Sequence, residues 1–321
     1  MLKKFCVTAC ACALSAGACA ADADYPKRPV RFIVAQTPGG NADFVGRILA
    51  DAYGKRFGQQ FVVDNRAGAG GIIAAEITVK APPDGYTLLL VTTSYGVNPA
   101  LYQKLSYDSL TDLAPITHIA YSPMILLVNP SLPVQSVKDL VALARAKPGE
   151  LNYGVSSIGG ATQLATDLFK ITAKVNMTQI PYKGAPPMLV DLMAGRIHLS
   201  FATMPSSIAF VRSGKLRGVA VTSLKRSAAV PDVPTVAENG LPGYEMVAWQ
   251  GLMAPKATPT ALIQLLNRET AVIIRQPEIR KQLAAEGGEG VGNSPDEYAR
   301  WLKAEIAKWT RVAKEANIRI E

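Results

Sequence analysis

Two segments carry residue types that suit anion binding. Gln36-Thr37-Pro38-Gly39-Gly40-Asn41 lies directly after the apolar run Val30–Val34 and directly before a helix-periodic stretch at 43–57. Ser156-Ser157-Ile158-Gly159-Gly160-Ala161-Thr162 has the same setting, after Leu151–Val155 and before the periodic segment Leu164–Ile171. Paired glycines let a backbone approach a ligand closely, and unpaired N–H groups at a helix start attract negative charge. A single glycine turn between strand and helix has ample steric reasons to exist; two in matching settings make a joint case for one site.

Other chemistry is sparse. Gly68-Ala69-Gly70-Gly71 approaches a dinucleotide fingerprint, but Ile73 stands where the third glycine belongs, and Glu76 is the only nearby acid. It reads as a structural turn. Of the two histidines, His118 and His198, the second sits within Ile197–Phe201 and reads as a hydrogen-bonded strand residue. Ser156 and Ser157 have no identifiable base, and no G-x-S-x-G, H-E-x-x-H or Walker motif occurs. The sequence calls for no catalytic residue, no metal and no cofactor.

The elements that must position these loops alternate. Val30–Val34, Phe61–Val63, Thr87–Val91, Ile125–Val128, Leu151–Val155, Ile197–Phe201 and Leu216–Val221 read as buried strands. Between many of them run helix patterns, such as Phe44, Ile48, Leu49, Ala52 and Tyr53 on one face. Ser136 with Asp139, and Ser294 with Glu297 after Pro295, read as helix starts. Tyr298, Trp301, Leu302, Ile306, Trp309 and Val312 then form a core-facing stripe. The pattern predicts an α/β fold with largely parallel sheets. No long linker divides the chain, so two lobes would be joined by short crossings, around 119–125 and after Val221.

Composition excludes several classes. At 321 residues and 49% hydrophobic, the chain can bury a real core in one or two domains. Residues 1–20 show Lys3 and Lys4, an apolar run from Phe5, and Ala18 and Ala20 before a cut, which is an export signal cleaved near Ala20. All four cysteines (Cys6, Cys10, Cys12 and Cys19) fall within it, and Ala16 replaces the leucine usual in lipoprotein signals. Cleavage leaves no disulfide and no thiolate ligand, with 32 basic against 25 acidic side chains, a net charge of +7. Those charges are dispersed, which argues against nucleic acid. The uncharged stretch 113–137 is no membrane span, since Pro115, Pro123, Pro130 and Pro133 would break its helix repeatedly. A soluble, exported protein is expected.

The order of short motifs resembles the Bug-type extracytoplasmic solute receptors of tripartite tricarboxylate transporters. The resembling segments are Arg28-Pro29-Val30, Pro38-Gly39-Gly40 with Asp43, Val63-Asp64-Asn65-Arg66, Pro83-Asp84-Gly85-Tyr86-Thr87-Leu88 and Asn98-Pro99-Ala100-Leu101-Tyr102. Pro181-Tyr182-Lys183-Gly184, Val233-Pro234-Thr235, Gly240-Leu241-Pro242-Gly243-Tyr244 and Trp249 with Gly251-Leu252 continue the series through nearly all of the exported chain. The resemblance implies a two-lobed periplasmic binding protein of type II topology, each lobe a mainly parallel sheet flanked by helices. Lobe 1 would be 21–124 plus 226–321, and lobe 2 would be 125–225.

It further implies a monomer that closes over a small carboxylate and hands it to membrane permease subunits. The carboxylate would lie between residues 36–42, including Ala42, and residues 156–162, with Ser94 and Tyr182 as further wall residues. Gln36 stands where many members have an aromatic residue, and Gln163 where many have a histidine. An amide at 36 points to a ligand with a polar or second acidic end, an aromatic dicarboxylate among them. A sensor for a membrane kinase, or an exported hydrolase or isomerase, are the alternative readings.

Overall fold

The computed structural model describes residues 25–315 apart from Glu286. The export signal at 1–20, with every cysteine, lies outside the described residues. The first half runs β1 (Val30–Val34), α1 (Asn41–Phe57), β2 (Phe61–Asn65), a 3₁₀ turn (Ala69–Gly71), α2 (Ile72–Val79), β3 (Thr87–Thr92), α3 (Thr93–Leu101) and β4 (Leu113–Val128). Next come α4 (Val137–Ala146), β5 (Asn152–Val155), α5 (Ala161–Ala173), β6 (Thr178–Pro181), α6 (Ala185–Met193), β7 (Leu199–Thr203), α7 (Met204–Arg212) and β8 (Arg217–Val221). The chain then adds β9 (Val247–Pro255), α8 (Thr260–Arg275), α9 (Pro277–Ala285), β10 (Glu289–Gly290) and α10 (Pro295–Glu315).

The strands form a continuous order β2-β1-β3-β9-β4-β7-β5-β6, with β8 and β10 also on β4. β1 is parallel to β2 and β3, and β5 is parallel to β6 and β7. Around β4 every pairing is antiparallel, so each sheet is mixed where a mainly parallel one was expected. β4 is the reason. It pairs with β9 as far as Pro123↔Val247, then with β7 and β8 from Met124 onward. One strand therefore belongs to both halves, and the chain returning alongside it must run the other way.

Pro115 and Pro123 had read as breakers, hiding the first part of this strand. In the structure register shifts fall between Pro115 and Thr117 and between His118 and Ala120, and such irregularities are where a sheet tolerates a residue with no N–H. β6 and β9 were also absent from the sequence reading. The helix starts read from sequence do form: the Asp139 N–H donates to Ser136 Oγ, and the N–H groups of Ser294 and Glu297 reach Glu297 Oε2 and Ser294 Oγ.

Two sets of apolar clusters sit on either side of the crossing. Phe32, Leu88 and Leu90 pack with Leu49 and Tyr53 in the first half. Leu126, Phe201 and Tyr153 pack with Phe169 and Tyr244 in the second. Val230 and Val233 pack with Ile125, Leu127 and Val221 in a further cluster of the second half. α10 straddles both: Tyr298 and Leu302 join the cluster containing Trp249, while Trp309 and Ala313 join that of Leu126.

Candidate functional site

The two glycine loops prove to be local copies of one another. Gly39 (φ 80°) and Gly159 (φ 68°) both adopt the left-handed conformation that disfavours side chains. Gly40 and Gly160 follow in extended conformation as N-caps of α1 and α5. The Gly40 N–H donates to Thr37 O (3.4 Å), and the Gly160 N–H to Ser157 O (3.3 Å). Each loop is also held from inside its helix. Gly39 N–H donates to Asp43 Oδ2 (2.9 Å), and Gly159 N–H to Gln163 Oε1 (2.8 Å). Asp43 and Gln163 thus do the same work with different chemistry, which gives Gln163 a structural function in its loop.

Further contacts fix the first loop. Asn65, from the Val63–Arg66 motif, donates to both Gln36 O and Asp43 Oδ1 at 3.0 Å. Burial opposes ionisation of Asp43, but hydrogen bonds from Arg47, Gly39 and Asn65 outweigh it, holding the carboxyl below its usual range. Gln36 Oε1 accepts the Ala42 N–H at 2.7 Å. Its acceptor is therefore spent on the loop itself.

Both helix starts face one cavity of about 580 Å³ between the halves. Of the residues picked from sequence, Gln36, Thr37, Asn41, Ala42, Ser94, Ser156, Ser157, Gly160, Ala161, Thr162 and Tyr182 line it. Gly39, Gly40 and Gly159 do not line it; they make the turns that lead into α1 and α5. The halves meet across the cleft: a Cβ on Gly184 would lie 2.6 Å from Thr37 Oγ1, and one on Gly39 would lie 3.6 Å from Pro186. Tyr182 lines the cavity, and its hydroxyl donates to Asp191 Oδ2 at 2.9 Å.

Sequence reasoning passed over part of the wall. Residues 68–71, set aside as a structural turn, line the cavity, as do Ala67, Thr92, Thr203, Ser206, Trp249 and Gln250. The available signal was position: turns leaving the carboxyl ends of parallel strands converge on one crevice, whatever motif they carry. Gln250 had no such signal, because β9 was not read as a strand.

The cavity is rich in donors and poor in charge. Among the described residues Lys183 is its only cationic lining side chain, and no Asp, Glu or His lines it. Helix N-termini and backbone N–H groups can balance an anion without a cation. His198 Nδ1 accepts the Asn152 N–H at 2.9 Å, the structural role expected of it. His118 lies outside the cavity in a ring cluster with Trp249, Tyr298 and Trp301, its centroid 4.2 Å from that of Trp301. Burial pushes its pKa down to about 4, so it is a neutral core residue at physiological pH. Among the described residues no group of three or more His, Cys, Asp or Glu is placed to hold a metal, and no helix is long and apolar enough to cross a membrane.

A mixed sheet crossed by one shared strand, with two lobes closing on a cleft, defines a two-lobed solute-binding protein of the periplasmic kind. Residues 45–318 match the family described as tripartite tricarboxylate transporter family receptor, and the chain belongs to that family of periplasmic solute receptors. It is 37% identical over 299 residues to protein BugT of Bordetella pertussis, covering 92% of each chain. Among solved structures it is similar to R. palustris Rpa4515 with adipate, with TM-score 0.90, 41% identity and coverage of 92% of this chain and 100% of that one. MatC (Rpa3494) from Rhodopseudomonas palustris with bound malate superposes with TM-score 0.84 at 29% identity, covering 90% and 99% of the two chains.

Proposed function

We propose that this chain is a monomeric, non-enzymatic periplasmic receptor that captures a small organic carboxylate and delivers it to the permease of a tripartite tricarboxylate-type transporter. The observation carrying this reading is the pair of equivalent loops that aim the N-termini of α1 and α5 into one cavity from opposite lobes. A carboxylate placed there receives N–H groups from both lobes at once, so binding favours the closed arrangement. The solved relatives with adipate and with malate hold carboxylates, in keeping with that assignment. No acid or imidazole lines the described wall beside its serines, which supports capture rather than turnover.

The lobes in this reading are 21–124 with the chain from β9 onward, and the intervening chain from Ile125. This reading sets the return crossing at the start of β9 instead of at 225/226, and the packing of Val230, Val233 and Tyr244 among second-half residues supports it. Closure is a hinge motion about β4 and β9. The test is calorimetry on a ligand-free preparation against mono-, di- and tricarboxylates. Binding of one small carboxylate at 1:1 is expected; no heat from any of them would sink the reading. N-terminal sequencing of the exported protein should find cleavage near Ala20.

A further inference from the structure

Charge is unevenly shared across the cleft. Among the described residues the first half contributes no charged side chain to the cavity wall, while Lys183 lines it from the second half. Lys183 stands third in Pro181-Tyr182-Lys183-Gly184, and the residues on either side of it are pinned. The Tyr182 N–H donates to Val155 O and the Gly184 N–H to Ser156 O, both at 2.9 Å, which fastens this turn to the second glycine loop. The Tyr182 hydroxyl is held by Asp191 on α6, and Arg196 meets the same carboxylate at 2.7 Å. From the opposite half Thr37 comes up against Gly184, whose φ of 110° and missing side chain permit the close approach. Lys183 is thus carried at the seam between the halves by a backbone with little freedom to move.

Its side chain is exposed, and among the described residues its ammonium group makes no ion pair or hydrogen bond. The acids that brace the surrounding loops already have cationic partners: Asp43 meets Arg47, Asp191 meets Arg196, and Asp64 is shared by Arg31 and Arg66. An exposed lysine is ordinarily a solvated surface residue. A single unneutralised charge on the edge of an otherwise uncharged, donor-rich cavity differs, because it sets the sign of the field that an incoming solute meets. A solvated charge of this kind adds little to the affinity of a bound pair and acts mainly on the rate of encounter. Its reach is the Debye length, about 30 Å at 0.01 M salt and about 8 Å at 0.15 M.

We infer that Lys183 is a steering residue: its charge draws anionic solutes into the cleft, and the neutral donors of the glycine loops hold the anion once it has arrived. This rests on the carboxylate-receptor reading and adds how the anion is selected during approach. The experiment is stopped-flow tryptophan fluorescence, with Trp249 on the cavity wall as reporter. The exported chain is mixed with butanoate, malate, adipate and citrate at low and at high salt. Lys183→Met and Lys183→Arg are measured alongside Lys215→Met, a charge control at an exposed lysine that does not line the cavity.

For each carboxylate that binds, Lys183→Met should associate more slowly at 0.01 M salt by about twofold per negative charge on the solute, hence about eightfold for citrate. Its dissociation rate should stay unchanged, which also shows that the variant is folded. The difference should vanish at high salt, and Lys183→Arg and Lys215→Met should both match the wild type. Equal association rates in Lys183→Met and the wild type, a loss confined to faster dissociation, or an equal loss in Lys215→Met would overturn the inference and leave the carboxylate receptor standing. Binding of none of the four carboxylates would remove the receptor reading and this one with it.

Discussion

At the scale of single residues, the site is specified by side chains that are missing as much as by those present. Gly160 has an ordinary φ of −86°, so backbone strain is not what bars a side chain there. A Cβ at that position would overlap Ser157 Oγ and lie 3.2 Å from Ser157 O, displacing the loop that presents Ala161 and Thr162 to the cavity. Gly160→Val is therefore expected to weaken carboxylate binding by about 100-fold or more, equivalent to about 2.7 kcal/mol, while circular dichroism stays unchanged; wild-type affinity in the variant would move the site elsewhere. Asp43→Asn is a subtler change. It keeps the size of the side chain but removes the charge that meets Arg47 at 3.0 Å. Its hydrogen bond to the Gly39 N–H now competes with a flipped amide. A loss of about 1–3 kcal/mol in urea denaturation is expected, with weaker ligand binding in the same variant. These glycine pairs were legible in the sequence because their spacing and setting repeat. Ser94 and Gln250 were harder: a serine after a strand and an amide in an unread strand have no distinguishing pattern until the fold brings them to one wall.

At the scale of elements, local signals and distant pairing divide the work. The capping box at Ser294 forms because it needs only residues three apart, and it sets the start of the helix that ties the two halves together. Ser294→Ala is expected to cost about 1 kcal/mol, seen as a lower urea midpoint, with carboxylate affinity unchanged because neither Ser294 nor Glu297 lines the cavity. β4 was misread for the opposite reason. Its prolines are poor strand residues taken alone, and the strand persists because β9 on one side and β7 and β8 further along supply partners that local propensity cannot anticipate. The third glycine turn shows the same limit, since its place on the wall follows from the direction of β2 rather than from its own residues.

At the scale of the whole molecule, α10 and the one shared strand, β4, tie the two halves together. His118, on β4, packs among the uncharged rings of Trp249, Tyr298 and Trp301, with no acid in that cluster to favour its cation. Its pKa of about 4 lies below the value near 6.5 of an unfolded histidine, so the unfolded chain binds the proton first as pH falls. The stability it contributes is complete above about pH 6.5 and is lost progressively toward pH 4, on the order of 3 kcal/mol. Urea midpoints across that window should fall for the wild type and fall less steeply for His118→Phe; parallel slopes would exclude His118 as the source. What the sequence determined by itself was local and periodic: the strand–helix alternation, the caps, the paired glycine loops, and the gathering of all four cysteines within the first twenty residues. Tertiary structure alone decided that β4 crosses between lobes, that β9 slots between β3 and β4, and that the N-termini of α1 and α5 face one cavity. Those outcomes depend on which distant strands pair, and pairing energy is recorded in the partner as much as in the segment itself.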